Sequence, residues 1–293
     1  MFVSYIQASE PALPCDHPCF GCPVRDHAVC NALRNDDLAL FRRTGSRRVL
    51  SPGDALCWEG DPAACTFSVT RGVMRLSKML SDGRRQIAGF AFPGDFLGVT
   101  MDDEHPFTIE AVCNAEVCQF PRMRFEAFTA DRPELEKRLY TAAASELTAM
   151  REQLMLLGRK TAAERLASFV LQMVRRTPQA QGEPPRASLP MSRMDIADYL
   201  GLRIETVSRE LAALKSKRLV RMTGVHELQV LAPDLLSSLA DGRLRVLAGP
   251  WASGTAGSRP TSVVRKARDP GSCRSFGELA ICTVGEKRCR HSG

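Results

Sequence analysis

Several features that would indicate a membrane protein, a secreted protein or an enzyme are missing from this sequence of 293 residues. No apolar run approaches the roughly 18 residues that a bilayer-spanning helix needs. Residues 1–14 lack both the basic region and the long apolar region of a signal peptide. No Ser-His-Asp set, paired carboxylates or phosphate-binding loop occurs at a convincing spacing. We therefore expect a cytoplasmic protein that does not bind membranes and is not an enzyme.

Positive charge is scarce outside the C-terminal segment. The net charge is +7, but residues 241–293 hold ten Lys and Arg against four Asp and Glu and so carry six of these charges. This segment is rich in Gly, Ser, Arg and Pro without a sustained period, which predicts a disordered basic tail. Because the remaining chain is nearly neutral, a nucleic-acid partner has to be argued from local motifs.

Cysteine, by contrast, is abundant, with 11 residues in the chain. Four of them occur within 16 residues: Cys15, Cys19, Cys22 and Cys30. In a reducing compartment, clustered thiols indicate metal ligation or redox sensing before disulfides. The set Cys19-x2-Cys22-x7-Cys30 is one thiolate short of the four that an iron–sulfur cluster usually takes, so Cys15 or a distant cysteine would be the fourth. Zinc, with His17 and His27 as further candidate ligands, and redox-active thiols are the alternatives.

Residues 47–120 consist of short apolar stretches separated by turn sequences such as Pro52-Gly53-Asp54 and Pro93-Gly94-Asp95. Strand-like segments at 66–70, 73–78 and 86–92 predict a β-roll or small barrel, with Trp58 in its core. A cupin-like enzyme would need a His/Glu metal triad in this roll. His105 is the only histidine in the stretch, which nearly excludes that class.

The pattern becomes helical from residue 134 to residue 159, where neither Gly nor Pro occurs before Gly158. Apolar residues alternate at steps of three and four along one narrow stripe, which we call the seam: Tyr140, Ala143, Leu147, Met150, Leu154 and Leu157. The opposite face is polar. This spacing is typical of a coiled coil and favours a dimerisation helix over a helix that packs only on its own domain.

A helix-turn-helix follows, with helices at 194–200 and 204–217 joined around Gly201. Ser192 and Asp195 form a plausible capping box for the first helix. Segments 219–222 and 227–231 resemble a wing hairpin. The second helix presents Glu205, Ser208 and Arg209 on the outer face of its first turns, where such side chains read base edges.

A β-roll, a long helix and a winged helix-turn-helix in this order resemble the CRP/FNR superfamily of bacterial transcription regulators. The motif Glu205-Thr206-Val207-Ser208-Arg209 resembles the recognition helix of its FNR branch, and the N-terminal cysteines resemble the same branch. The seven residues between Cys22 and Cys30 are similar to the α-proteobacterial FnrN, FnrL and FixK group.

The resemblance implies a [4Fe-4S] cluster held by Cys19, Cys22, Cys30 and Cys118, because Val117-Cys118-x-x-Pro121 matches the context of the family's fourth ligand. Cys113 is the nearest rival for that place, and Cys15 becomes a spare. The resemblance further implies an oxygen-responsive homodimer that mainly activates anaerobic or microaerobic genes, at palindromic DNA sites of TTGA type and with RNA polymerase as partner. The alternative is a regulator that responds to redox state or nitric oxide through zinc or reactive thiols.

The same comparison argues against a cyclic nucleotide as ligand. Nucleotide-binding members carry a Glu in a Gly-Glu-Leu turn and an Arg-Ser pair that grips the phosphate. Here no Glu follows Gly98 and no Arg lies between Pro93 and Pro121.

The expected fold is therefore α+β, in five parts. Residues 1–32 form a cysteine-rich cluster-binding segment, 33–130 a cyclic-nucleotide-binding-like β-roll, 131–160 the dimerisation helix, 161–240 the winged helix-turn-helix and 241–293 the tail.

Overall fold

The computed structural model describes residues 19, 21–100 and 102–243. Within these ranges the chain has the expected α+β fold: a β-roll, a long helix and a small helical domain with a three-stranded sheet. The predictions for Cys15 and for the tail beyond residue 243 lie outside the described residues.

The roll is built from two four-stranded antiparallel sheets, in the orders β1-β8-β3-β6 and β2-β7-β4-β5. Its strands are β1 (Ser46–Leu50), β2 (Ala55–Cys57), β3 (Cys65–Arg71), β4 (Met74–Met79), β5 (Arg85–Ala91), β6 (Phe96–Leu97), β7 (Thr108–Ala111) and β8 (Ala115–Pro121). Apolar side chains such as Val69, Met74 and Val117 alternate inward and fill the space between the sheets. The three strands predicted from the sequence are confirmed as β3, β4 and β5.

A second apolar cluster lies outside the roll and joins elements that are far apart in the sequence. It packs a short 3-10 helix (Val29–Ala32), α1 (Asn35–Arg43), α2 (Arg122–Ala130) and the start of α3 (Pro133–Arg159) against strand β8. Phe41 stacks on Phe120 with ring centroids 4.3 Å apart, and Leu135 is completely buried beside them. We call this group, with Val29, Leu33, Leu38, Phe125 and Phe128, the outer cluster. Sequence analysis did not predict α1 or α2.

Helix α3 is 27 residues long and begins at Pro133. Proline is favoured at the first position of a helix because its fixed φ angle is already close to the helical value. Most of the seam is exposed on it: Tyr140, Ala143, Leu147, Met150 and Leu154. Leu157 is half-buried and packs against the core of the C-terminal helical domain instead. The described chain thus leaves an apolar stripe of nearly four helical turns uncovered.

The C-terminal domain contains α4 (Ala162–Arg176), β9 (Arg186–Ser188), α5 (Arg193–Leu200), α6 (Ile204–Ser216), β10 (Val220–Met222), β11 (Glu227–Val230) and α7 (Pro233–Ala240). The predicted capping box of Ser192 and Asp195 is confirmed, and Thr161 with Glu164 forms a second one at α4. Strand β9, which pairs with β11, was missed because its three residues follow a Pro-rich break without a recognisable period.

The placement of Trp58 in the core of the roll was wrong, since its side chain is 58% exposed. Trp58 follows β2 at a turn, where its backbone N–H donates to Asp61 Oδ2 at 2.9 Å. Because β2 ends at Cys57, Trp58 does not follow the inward and outward alternation of the strand that would have placed its side chain in the core. None of the described helices is both long and apolar enough to cross a bilayer.

We expect Leu135→Ala to lower the free energy of unfolding by about 2–5 kcal/mol, because it opens a cavity in the outer cluster. Chemical denaturation of the purified protein measures this change. Leu40→Ala removes the same atoms from a side chain that is 48% exposed and should cost under about 0.5 kcal/mol. Equal effects of the two variants would contradict the packing role of Leu135.

Candidate functional site

The four predicted cluster ligands come together in the structure, although they lie on three different elements. Cys19 and Cys22 belong to a loop of successive turns, in which Cys22 N–H donates to Cys19 O at 3.4 Å and Arg25 N–H to Cys22 O at 3.3 Å. Cys30 lies in the 3-10 helix and Cys118 on β8, opposite Ser68. All four line one cavity of about 30 Å³, which we call the cysteine pocket.

The cysteine pocket is lined mainly by apolar side chains, and partial burial disfavours the charged form of three of its thiols, those of Cys19, Cys30 and Cys118. Its floor is formed by side chains of the outer cluster, among them Phe41 and Phe120. Burial raises the pKa of Cys30 to about 12 and that of Cys118 to about 11, and it also raises the pKa of Cys19. The neighbouring thiols add to the increase, since each would repel a second thiolate. Binding of a cationic group by these thiols would therefore release protons.

Two guanidinium groups act against this increase in the thiol pKa values. Arg42 faces Cys19 and Cys118 and favours their thiolate forms, as Arg25 does for Cys19 and Cys30. Arg25 Nη2 donates to Asn35 Oδ1 at 3.0 Å, whereas its Nη1 is buried and has no hydrogen-bond partner among the described residues. A buried donor without a partner is costly, and here it lines the pocket that the four thiols share. The residues present therefore fit an anionic, thiolate-ligated group.

The spacing of the side chains bears on which group this is. Within the described ranges, no three His, Cys, Asp or Glu side chains lie close enough together to share a single metal ion. A zinc ion needs its four ligands around one point, and two of the candidate zinc ligands, Cys15 and His17, lie outside the described residues. An iron–sulfur cluster distributes four cysteines around a larger group.

The structure also places Cys118 and Cys113, the other candidate for the fourth ligand, in different cavities. Cys113 lies in the turn between β7 and β8, where it packs against the core of the C-terminal domain. It lines a different, open cavity of about 760 Å³ that also borders Arg175 and Arg176. Cys118, not Cys113, shares a pocket with the three N-terminal cysteines, while the ligand roles themselves stay predictions.

The loop that carries Cys19 and Cys22 contacts the first turns of helix α3 directly. Arg138 Nη2 on α3 donates to the backbone oxygen of His27 at 3.0 Å, and Val29 packs in the same cluster as Leu135. Cys19, Cys30 and Cys118 also pack against this cluster, so the cysteine pocket and the first turns of α3 share apolar neighbours.

The second candidate site is the helix-turn-helix. Gly201 caps α5 in the left-handed conformation (φ 61°), which an L side chain rarely adopts, and so allows α6 to begin three residues later. Val207 and Leu211 are buried against α5. Glu205, Ser208 and Arg209 are exposed on α6 as the spacing predicted, and their contacts with bases stay a prediction.

Both parts of this architecture match known domain families. Residues 47–132 match the cyclic nucleotide-binding domain, and residues 164–239 match the Crp-like helix-turn-helix domain. The nitrogen fixation regulation protein FixK of Bradyrhizobium diazoefficiens is 44% identical over 202 residues, which cover 69% of this chain and 85% of that protein. The chain belongs to the CRP/FNR family.

Other members of the CRP/FNR family agree with this assignment. The transcriptional activatory protein AadR of Rhodopseudomonas palustris is 38% identical over 227 residues, covering 78% of this chain and 91% of that protein. The structure of FixK2 from Bradyrhizobium japonicum superimposes with a TM-score of 0.62 at 35% identity, over 67% of this chain and 96% of that one. The chain is thus a DNA-binding transcription activator of the FNR branch, and the expectation that it is not an enzyme is confirmed.

We expect Arg209→Ala to reduce discrimination between the preferred half-site and a half-site with one changed base pair by about 10- to 100-fold. Fluorescence anisotropy with the two DNA duplexes measures the ratio of dissociation constants. Arg124→Ala removes the same charge from an exposed position on α2 and should leave the ratio unchanged. An unaltered ratio in the Arg209 variant would show that this residue does not read a base.

Proposed function

We propose that this CRP/FNR regulator is a homodimeric, oxygen-responsive activator whose cluster ligands are Cys19, Cys22, Cys30 and Cys118. The observation that carries the proposal is the cysteine pocket, which brings three N-terminal thiols and one thiol of β8 together beside a buried Arg25 N–H that has no partner in the described part of the chain. The pocket borders the start of the helix that bears the exposed seam.

When bound, a [4Fe-4S] cluster supplies an oxygen-labile crosslink between the N-terminal loop and β8. The loop, once tied down, keeps Val29 packed against Leu135 and the His27 oxygen hydrogen-bonded to Arg138. These contacts hold the first turns of α3 in one orientation. Release of the loop removes these contacts. The orientation of α3 in which two seams pair is then no longer stabilised.

Pairing of two seams sets the spacing of the DNA-binding domains. The exposed apolar stripe on α3 is what a second copy of the chain would cover in a coiled coil. Two recognition helices would then reach major grooves about one helical turn apart on a palindrome of TTGA-type half-sites. RNA polymerase is the expected partner at activated promoters. Cyclic nucleotide is not expected as effector, because no arginine lies between Pro93 and Pro121.

We expect Cys118→Ala, purified without oxygen, to lose the cluster that the wild-type protein contains at about four iron and four sulfide per chain. Metal analysis and the visible absorption spectrum during admission of air measure this. Cys113→Ala, which removes a thiol from the other cavity, should keep the full iron content and the air-sensitive absorbance. A Cys118→Ala protein with full iron would refute the ligand assignment, and zinc in the wild-type protein would refute the oxygen sensor.

We expect Met150→Glu to convert the dimer into a monomer, because it places a charge in the apolar seam, where burial of an unpaired charge is costly. Sedimentation velocity under anaerobic conditions gives the mass. Ser145→Glu introduces the same side chain on the opposite, polar face of α3 and should leave the dimer intact. A dimeric Met150→Glu protein would show that the seam is not the interface.

A further inference from the structure

A buried aspartate connects the helix-turn-helix to the β-roll, which we call the sensor domain, at its sheet β2-β7-β4-β5, which we call the sensor sheet. Asp195 lies in the first turn of α5, and its side chain is only 6% exposed. Its Oδ2 accepts hydrogen bonds from the backbone N–H and the hydroxyl of Ser192, at 3.0 and 2.7 Å, and so completes the helix cap. Its Oδ1 instead accepts from two arginines of the roll: Arg85 Nη2 at 2.7 Å and Arg75 Nη1 at 3.3 Å.

The two arginines extend this contact into a network across the domain boundary. Arg85 on β5 also donates from Nε to Asp198 Oδ2 at 2.9 Å, and Arg75 on β4 donates from Nε to Glu110 Oε2 at 3.1 Å. The side chains of Arg75 and Arg85 are 17% and 24% exposed. Ion pairs so far removed from water depend on their geometry, because a partner left alone is poorly solvated. The network is therefore sensitive to any separation of the two domains.

Apolar contacts surround the network and give the docking a defined position. Ile87 of β5 is fully buried in the same core as the C-terminal domain, and the ring centroids of Phe90 and Tyr199 are 5.3 Å apart. Gln86 Nε2 donates to the backbone oxygen of Asp198 at 2.8 Å. Strand β5 and helix α5 thus meet through both polar and apolar groups.

Helix α5 is also held at its other end by the long helices. Gln153 Nε2 on α3 donates to Tyr199 O at 2.9 Å. Arg165 on α4 donates to Leu200 O at 2.9 Å and to Leu157 O at 2.8 Å. Since α6 packs on α5, the sensor sheet and α3 together determine where the recognition helix points. In this arrangement Glu205, Ser208 and Arg209 remain exposed, so docking leaves the DNA-reading face open.

We propose that Arg75 and Arg85 are positioning residues for DNA binding: they hold α5 against the sensor sheet and thereby set the distance between the two recognition helices of the dimer. This inference rests on the dimeric, DNA-binding part of the proposed function and does not depend on the cluster. Its consequence is specific. Loss of the network weakens binding to two correctly spaced half-sites but not to a single half-site.

The test uses the full chain, purified without oxygen, and three DNA duplexes: a TTGA palindrome with half-sites about one turn apart, the same palindrome with two added base pairs, and a duplex with one half-site destroyed. We expect Arg85→Ala to bind the first duplex about tenfold more weakly than the wild-type protein. Its preference for the first duplex over the second should fall by about the same factor, and its affinity for the third should not change.

Arg84→Ala is the matched control, because Arg84 is exposed in the same hairpin and pairs with Asp82 of its own turn. It should bind all three duplexes like the wild-type protein. Asp198→Asn keeps the shape of the partner side chain and should reproduce the loss of spacing preference in a variant with little risk of misfolding. The double variant Arg85→Ala/Asp198→Asn should be no weaker than Arg85→Ala alone, since the Asp198 carboxylate acts through its ion pair with Arg85.

Hydrogen exchange on the DNA-free protein supplies an independent measurement. Arg85→Ala should accelerate exchange of the amides in α5 and β5 while leaving the outer cluster protected. Unchanged exchange in α5, unchanged spacing preference or tighter binding to the palindrome would each overturn the inference. Failure of the wild-type protein to bind the palindrome would instead refute the proposed operator, and the exchange result would still decide the role of Arg85.

Discussion

The partial burial of Cys19, Cys30 and Cys118 against the outer cluster is the constraint on which the rest of the proposed mechanism depends. Phe41, Phe120 and Leu135 bring α1, β8 and α3 together, and the cysteine loop lies over them. Because these thiols are desolvated, two nearby guanidiniums are needed to favour their charged forms. The pocket is thereby suited to an anionic thiolate-ligated group, and it adjoins the helix through which two chains would pair.

The long helix α3 connects this pocket to the DNA-binding domain. Its first turns contact the cysteine loop through Arg138, and its last turns contact α5 through Gln153. Between them lies the exposed seam. A single helix therefore contacts both the cysteine loop and the helix-turn-helix, and it carries the seam through which we propose that two chains pair. The buried ion network at Asp195 adds a second connection, from the sheet of the sensor domain to the same helix α5.

Local patterns were sufficient for the elements whose side chains repeat. The 3-4 spacing predicted α3, the Ser192–Asp195 capping box marked the start of α5, and Gly201 marked its end. Sequence patterns did not predict the features that depend on packing between distant segments or on a local turn. Helices α1 and α2 are short and are stabilised by the outer cluster, β9 exists only through its pairing with β11, and Trp58 is turned outward by a local turn.

The sequence by itself determined the order of the domains, the exposure of Glu205, Ser208 and Arg209 on α6 and the spacing of the N-terminal cysteines, because each of these is encoded in neighbouring residues. Only the tertiary structure shows that Cys113 and Cys118, five residues apart, line different cavities, since one lies in a turn and the other on strand β8. The tertiary structure was also needed to show that Arg25 lines the cysteine pocket and that Arg75 and Arg85 form an ion network with Asp195. Contacts across more than a hundred residues follow from how the chain packs, and no local pattern contains them.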